Sequence, residues 1–212
     1  LDATNSGEIL SGDDTFTIEW TADDTNIDAD SIKLEYFDGS DWNLIADNEQ
    51  NDGSYDWELP DLDAADIAVR VTVSDLADNT ASDESDAAFT IDSTDPAVDD
   101  ISAIQGIELT PAGSGNALQG VVDISVAASD NLSGVATIPQ VTVTPNGGSA
   151  ITATYIDESP AGTFNYTFVV DTATLNGTAT ITVSGLEDVA GNVAADETDT
   201  FDINKNQITG QV

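Results

Sequence analysis

The sequence contains no cysteine, no histidine and no methionine, and only three lysines and arginines among its 212 residues. Without histidine or cysteine there is no Ser-His-Asp triad, no thiol nucleophile and no imidazole or thiolate zinc site. Without cysteine there is also no disulfide, which fits a prokaryotic surface protein as well as the cytosol. Only Lys33 and Lys205 offer an amine, and each reads as an exposed strand or tail residue. A glycosidase needs two placed carboxylates, but with 41 acidic residues the finding of such a pair carries no information. The expectation is a protein that is not an enzyme. No apolar run is long enough to span a bilayer and no signal peptide is visible. The chain opens at Leu1, as a processed chain or an excised segment would.

What the sequence has in excess is acid. Its formal net charge is −38, which repels nucleic-acid phosphates and anionic membrane surfaces, so neither is expected as a partner. Self-repulsion on this scale opposes a compact state unless something screens or binds the carboxylates. Molar salt, with a Debye length of about 3 Å, would screen them; divalent cations would neutralise clusters directly. A halophilic source accounts for the near absence of lysine, and a calcium-loaded surface protein accounts for where the aspartates gather. Hydrophobic residues make up 40% of the chain, enough for two modest cores, and the length fits two domains of about 100 residues each.

Hydrophobic residues alternate with a period of two, and no stretch has a convincing helical period. Residues 15–21 set Phe16, Ile18 and Trp20 against Thr15, Thr17, Glu19 and Thr21. The same alternation runs through residues 31–37, 54–59 and 67–73. Residues 8–10, 42–46 and 87–91 complete a first set of about seven short strands. In the second half the clearest strands are residues 121–128, 141–144, 151–156, 163–170, 178–184 and 200–203. Short strands at regular spacing with frequent turn signals predict an all-β chain: two antiparallel β-sandwiches of about seven strands each.

The halves share their punctuation. Asp23-Asp24 corresponds to Asp130-Asn131, Asp75-Leu76-Ala77-Asp78-Asn79 to Asp188-Val189-Ala190-Gly191-Asn192, and Phe89-Thr90-Ile91-Asp92 to Phe201-Asp202-Ile203-Asn204. Three landmarks in one order at nearly constant offset indicate an internal repeat. The boundary falls at 92–96, where Pro96 interrupts the strand pattern, giving domains 1–94 and 95–212.

These motifs resemble known modules. Thr17 to Asp23, Ile32 to Tyr36, Asp41-Trp42, Gly53 to Trp57 and the run Val69 to Asn79 are similar to an immunoglobulin-like module of bacterial and archaeal surface proteins. Ser129 to Val135 and Asp188 to Asn192 resemble adhesin-type repeats. The resemblance implies tandem Ig-like or fibronectin-III-like sandwiches in S-layer proteins, adhesins or filament subunits, acting as spacers or lattice units. Asp78 stands where that motif usually has glycine, which puts the first turn's geometry in question.

In such a sandwich the first strand and the B–C and F–G loops meet at one pole. For the second domain that pole collects Asp130, Asn131, Glu187, Asp188 and Asn192, and the chain enters it through Asp92, Asp95, Asp99 and Asp100. Calcium takes six to eight oxygen ligands, and aspartate and asparagine supply them. The competing reading is that Asp75 and Asp188 merely cap their turns by accepting backbone N–H groups. The first domain's equivalents are Asp23, Asp24, Asp75 and Asp78; a preceding domain or another subunit would have to complete a site there.

Trp20, Tyr36, Tyr55 and Trp57 fall on the apolar phase of their strands and are expected in the core, leaving Trp42 as the one exposed candidate for stacking on a sugar. Three Asn-x-Ser/Thr triplets offer glycosylation at Asn131, Asn165 and Asn176. The function expected is an extracellular structural surface protein, an S-layer, stalk or filament segment stiffened by calcium and associating with itself, with glycans or other surface proteins as further partners. Terminal strands such as 8–10 or 208–212 would pair with a neighbour's sheet edge. An adhesin or carbohydrate-binding module, or an accessory domain of a secreted enzyme, is the alternative.

Overall fold

The computed structural model describes residues 8–105, 116–117 and 120–205; the strand expected at 208–212 lies outside them. The chain divides into two compact units, Leu1–Thr94 and Asp95–Val212. No helix occurs among the described residues, so none is long and apolar enough to cross a membrane.

The first unit is built from β1 (Ile9–Leu10), β2 (Thr15–Glu19), β3 (Ile32–Phe37), β4 (Trp42–Glu49), β5 (Ser54–Glu58), β6 (Ala64–Ser74), β7 (Thr80–Glu84) and β8 (Phe89–Ile91). One sheet runs β1-β8-β6-β3-β4, with β7 also on β6, and the other is the pair β2-β5. Alternation turns Phe16, Ile18, Trp20 and Trp57 of the small sheet onto Ile32, Leu34, Ile67, Val69, Phe89 and Ile91 of the large one. Phe16 and Phe89 stack at 4.5 Å between ring centroids, and Tyr36 lies 4.9 Å from Trp57. Burying each such side chain contributes about 1.5–3 kcal/mol, which two short sheets need to offset the cost of ordering their strands.

The second unit has β9 (Ala97–Gln105), β10 (Asn116–Ala117), β11 (Gly120–Ser129), β12 (Gln140–Thr144), β13 (Ile151–Thr152), β14 (Thr154–Glu158), β15 (Thr163–Val170), β16 (Gly177–Ser184) and β17 (Glu197–Ile203). They form the sheets β10-β17-β16-β12-β13 and β14-β15-β11-β9. Val122, Ile124, Val126, Phe164, Phe168 and Val170 face Val141, Val143, Ile181, Val183, Phe201 and Ile203 across the core. The buried Tyr166 hydroxyl donates to the Pro139 carbonyl, and burial pushes its pKa up to about 12. Both units are immunoglobulin-like sandwiches, and in each a short parallel strand (β1 on β8, β10 on β17) joins the last strand.

The strand count differs from about seven per domain: the described residues hold eight in the first unit and nine in the second. The last strand of the first unit breaks into β7 and β8 at residues 85–88, and every residue of β7 is exposed, so it has no hydrophobic alternation to betray it. Residues 151–156 are not one strand. Ala153, 6% exposed, donates its N–H to Val141 at 2.8 Å and turns the chain from β12 across to β15, splitting the run into β13 and β14. In β9 a register shift opposite Ala127/Ala128 breaks the period of two.

Candidate metal centre

The loops after β6 and β16 are near copies. Asp75 Oδ1 accepts the N–H groups of Ala77 and Asn79, each at 2.8 Å, and its Oδ2 accepts the Asn79 amide at 2.8 Å. Asp188 Oδ1 accepts from Gly191 at 2.7 Å and Asn192 at 2.9 Å, and its Oδ2 from the Asn192 amide at 2.8 Å. The turn closes because the residue before the asparagine takes positive φ: 96° at Gly191 and 63° at Asp78. Asp78 therefore keeps the geometry that glycine would give, since aspartate tolerates the left-handed region better than most residues. Each aspartate is also tied to the facing loop by a single bridge, Ile27 to Asp75 and Val135 to Asp188. The hydrogen bond from the Asn79 amide, with those from backbone N–H groups, holds the Asp75 carboxyl below the usual carboxylate range.

Turn capping thus occupies both loops, but in the second unit it does not exhaust the carboxylates. Asp130 accepts Leu132 N–H at 3.0 Å and Gly134 N–H at 2.8 Å, both on Oδ2. Its Oδ1 is buried and has no hydrogen-bond partner among the described residues. Asp188 is only 2% exposed, and the two side chains bring carboxylate oxygens within 4.8 Å of each other. Two ionised carboxylates that close repel by about 3 kcal/mol at an effective dielectric of about 20, and a buried acceptor without a donor costs about 1–3 kcal/mol. A cation removes both penalties. The donor set is all oxygen, which suits a hard ion such as calcium and excludes the thiolate and imidazole sites of zinc.

The other expected ligands are placed as follows. Asn192 is engaged with Asp188 as above. Asn131 is exposed on the loop between β11 and β12. Asp92 is buried and accepts the Thr94 N–H on Oδ1. Asp95 is exposed. Asp99 and Asp100 are exposed on β9 and line a shallow crevice with Glu197 and Asp199 of β17; they do not join Asp130 and Asp188. In the first unit Asp23, Asp24 and Asp78 are exposed, and Asp24 Oδ1 accepts the Asn26 N–H at 2.7 Å. Sequence reasoning missed the contribution of Gly134, whose N–H with that of Leu132 draws one oxygen of Asp130 into the loop and leaves the other over; the Asp-x-x-x-Gly spacing is its only signal.

Among the sequons, the Asn165 side-chain nitrogen donates to Asp157 Oδ1 at 2.8 Å and to the Ser159 carbonyl at 3.2 Å. Asn176 accepts the Lys205 N–H on Oδ1 at 3.1 Å. Trp42 is not the open platform expected. It is half-buried, the Arg70 guanidinium covers one face of its ring at 4.0 Å and Phe37 lies 5.5 Å away, so a cation already occupies one of the two faces on which a sugar would stack.

No family model and no curated protein matches the chain. Solved structures do. A tetra-tandem repeat from the extending region of a large adhesion protein is 19% identical over 91% of this chain, with a TM-score of 0.37. A Ca2+-stabilized adhesin that helps an Antarctic bacterium reach out and bind ice is 21% identical over 92% of this chain, with a TM-score of 0.37. The titin I-band fragment I67–I69 is 14% identical over 93%, with a TM-score of 0.40. The chain spans 45% of the first, 46% of the second and 62% of the third.

Proposed function

We propose that this chain is a structural segment of an extracellular surface protein, an S-layer, stalk or filament subunit, whose sandwiches are stiffened by calcium and associate head to tail. The observation that carries the reading is the orphaned, buried Oδ1 of Asp130 beside the buried carboxylate of Asp188. Bound calcium would supply positive charge there and nothing catalytic. Asp130 and Asp188 would hold it, and the backbone N–H groups of Leu132, Gly134, Gly191 and Asn192 would fix those carboxylates in place. The residue types support a role without catalysis, since neither histidine nor cysteine is present.

The test is thermal unfolding with and without calcium, at low and at molar salt. A folded-state site raises stability by RT ln(1 + [L]/Kd), and the rise should persist at molar salt, where general screening is already complete. Equal effects of calcium and of an equivalent ionic strength of sodium chloride would end the calcium reading. Electron microscopy at millimolar calcium and high salt tests assembly, with fibres or lattices expected.

A further inference from the structure

The two sandwiches differ at one edge. In the second unit β11 is flanked on both sides, by β15 and by β9. Val98, Ile101 and Ala103 of β9 pack against the core beside it. In the first unit β2, the counterpart of β11, pairs with β5 alone among the described residues. Trp20 donates its N–H to the Gly53 carbonyl at 3.0 Å on the β5 side, so antiparallel parity turns the backbone groups of Thr17, Glu19 and Thr21 to the other edge. Beside that edge, between the continuation of β2 and strands β6 and β7, lies a groove of about 380 Å3. Its floor is apolar, with Trp20, Ala22, Val71 and Val73; its rim carries Asp23 and Asp24.

The chain contains a segment that fits this edge. β9 follows the last strand of the first unit, after Phe89-Thr90-Ile91-Asp92, and completes the second unit. Residues 206–212 follow the matching Phe201-Asp202-Ile203-Asn204 at the end of the second unit. They read Asn-Gln-Ile-Thr-Gly-Gln-Val: Ile208, Gly210 and Val212 alternate with Gln207, Thr209 and Gln211. They hold no acid in a chain that has 41, and Lys205 precedes them. An uncharged segment with this alternation, behind a cation, would complement an apolar groove with an acidic rim, and if extended at about 3.3 Å per residue it would span about 23 Å, enough to run beside β2. The geometry points to strand addition: residues 206–212 of one copy lie beside β2 in the first unit of a second copy, antiparallel to it as β9 is to β11. This rests on the head-to-tail part of the proposed function and names the two surfaces that meet; it does not depend on calcium.

The absence of native cysteine makes the test direct. Full-length Thr21→Cys and Thr209→Cys variants are mixed in EDTA and oxidised, with Leu44→Cys, 59% exposed on β4, replacing Thr21→Cys as the control. The mixed disulfide dimer should exceed the control by about tenfold or more, as a raised effective concentration requires, and an excess of synthetic peptide 206–212 should suppress it. A yield equal to the control overturns the inference. So does a disulfide within one chain between Asp2→Cys and Thr21→Cys in a protein that yields no mixed dimer, because the chain's own first residues would then fill the edge. Sedimentation of the unmodified protein separates the two readings. Association without the cross-link refutes these surfaces but leaves head-to-tail assembly standing, and a strictly monomeric protein sinks both.

Discussion

In the first unit the loop after β6 ends its business with Asp75: two backbone N–H groups and one amide satisfy the carboxylate, and the neighbouring Asp24 is exposed to water. In the second unit two backbone N–H groups and an asparagine amide likewise surround Asp188, but Asp188 is 2% exposed and the neighbouring Asp130 keeps a buried oxygen without a donor among the described residues. One motif therefore serves as a turn cap in both places and has the makings of a cation site in one. The difference is burial. Hydrogen bonds within the loop give the carboxylate its position, while the loss of water around it decides whether its charge still needs a counterion.

The largest expected effect sharpens that contrast. Asp188→Ala strips three hydrogen bonds from a carboxylate that is only 2% exposed, which should cost about 3 kcal/mol. Asp75→Ala removes the same contacts at a solvated site, where water replaces them, so its loss should be clearly smaller. Calorimetry on the two full-length variants measures both, and hydrogen exchange assigns each loss to its loop. Equal losses would show that burial does not separate the units.

Calcium comes next. At 100 times its Kd the ion should stabilise the second unit by about 2.7 kcal/mol and leave the first unchanged. Asp130→Asn keeps an oxygen for the Leu132 and Gly134 N–H groups but loses the charge, so it should abolish the calcium response with little change in the metal-free protein. Asp24→Asn should leave the response intact. A response that survives Asp130→Asn would move the site elsewhere.

A smaller effect, of opposite sign in the two units, is expected at the residue before each asparagine. Gly191→Ala forces a Cβ into φ 96° and should destabilise by about 1 kcal/mol. Asp78→Gly relieves a non-glycine residue at φ 63° and should be neutral or stabilising by up to about 1 kcal/mol. Melting temperatures of the two variants decide it.

How much of this was legible in the sequence follows from which forces act locally. Strands such as β3 and β15 announce themselves because each buries one face, and the Asp-x-x-x-Asn turns announce themselves because their hydrogen bonds close within five residues. β7 was not legible because all five of its residues are exposed. The break at Ala153 was not legible because it depends on which sheet each half joins. At the site, Asp130 and Asp188 could be named from loop placement alone. Pole geometry does not resolve which way a carboxylate points, and so Asp99 and Asp100, which face the β9–β17 crevice, entered the same expectation. Trp42 reads as exposed until Arg70, 28 positions away, is seen across the sheet from it.

Acid should separate the units once more, through the few cations the chain owns. Two of its three, Lys33 and Arg70, meet one carboxylate in the first unit. Lys33 Nζ donates to Glu35 Oε1 at 2.6 Å, and Arg70 Nη2 and Nε donate to Oε2 at 2.7 and 3.1 Å. Glu35 and Arg70 are direct partners across β3 and β6, and Arg70 in turn covers Trp42. The Lys33 hydrogen bond above all, opposed by burial and reinforced by Arg70, holds the Glu35 carboxyl below its ordinary value of 4.5. A depressed folded-state pKa contributes stability that is complete above 4.5 and is lost as pH falls through the lower folded value. Below pH 4.5 the first unit should therefore lose this brace, and Glu35→Gln should remove that part of the pH dependence while leaving the second unit's acid response untouched. The amide of glutamine can still accept one hydrogen bond, so the variant should fold at neutral pH with a modest loss. Hydrogen exchange of β3 and β6 at stepped pH reads the effect directly: an acid response in those strands that is the same with and without Glu35 would mean that the cluster adds nothing to the stability of the sheet that carries it.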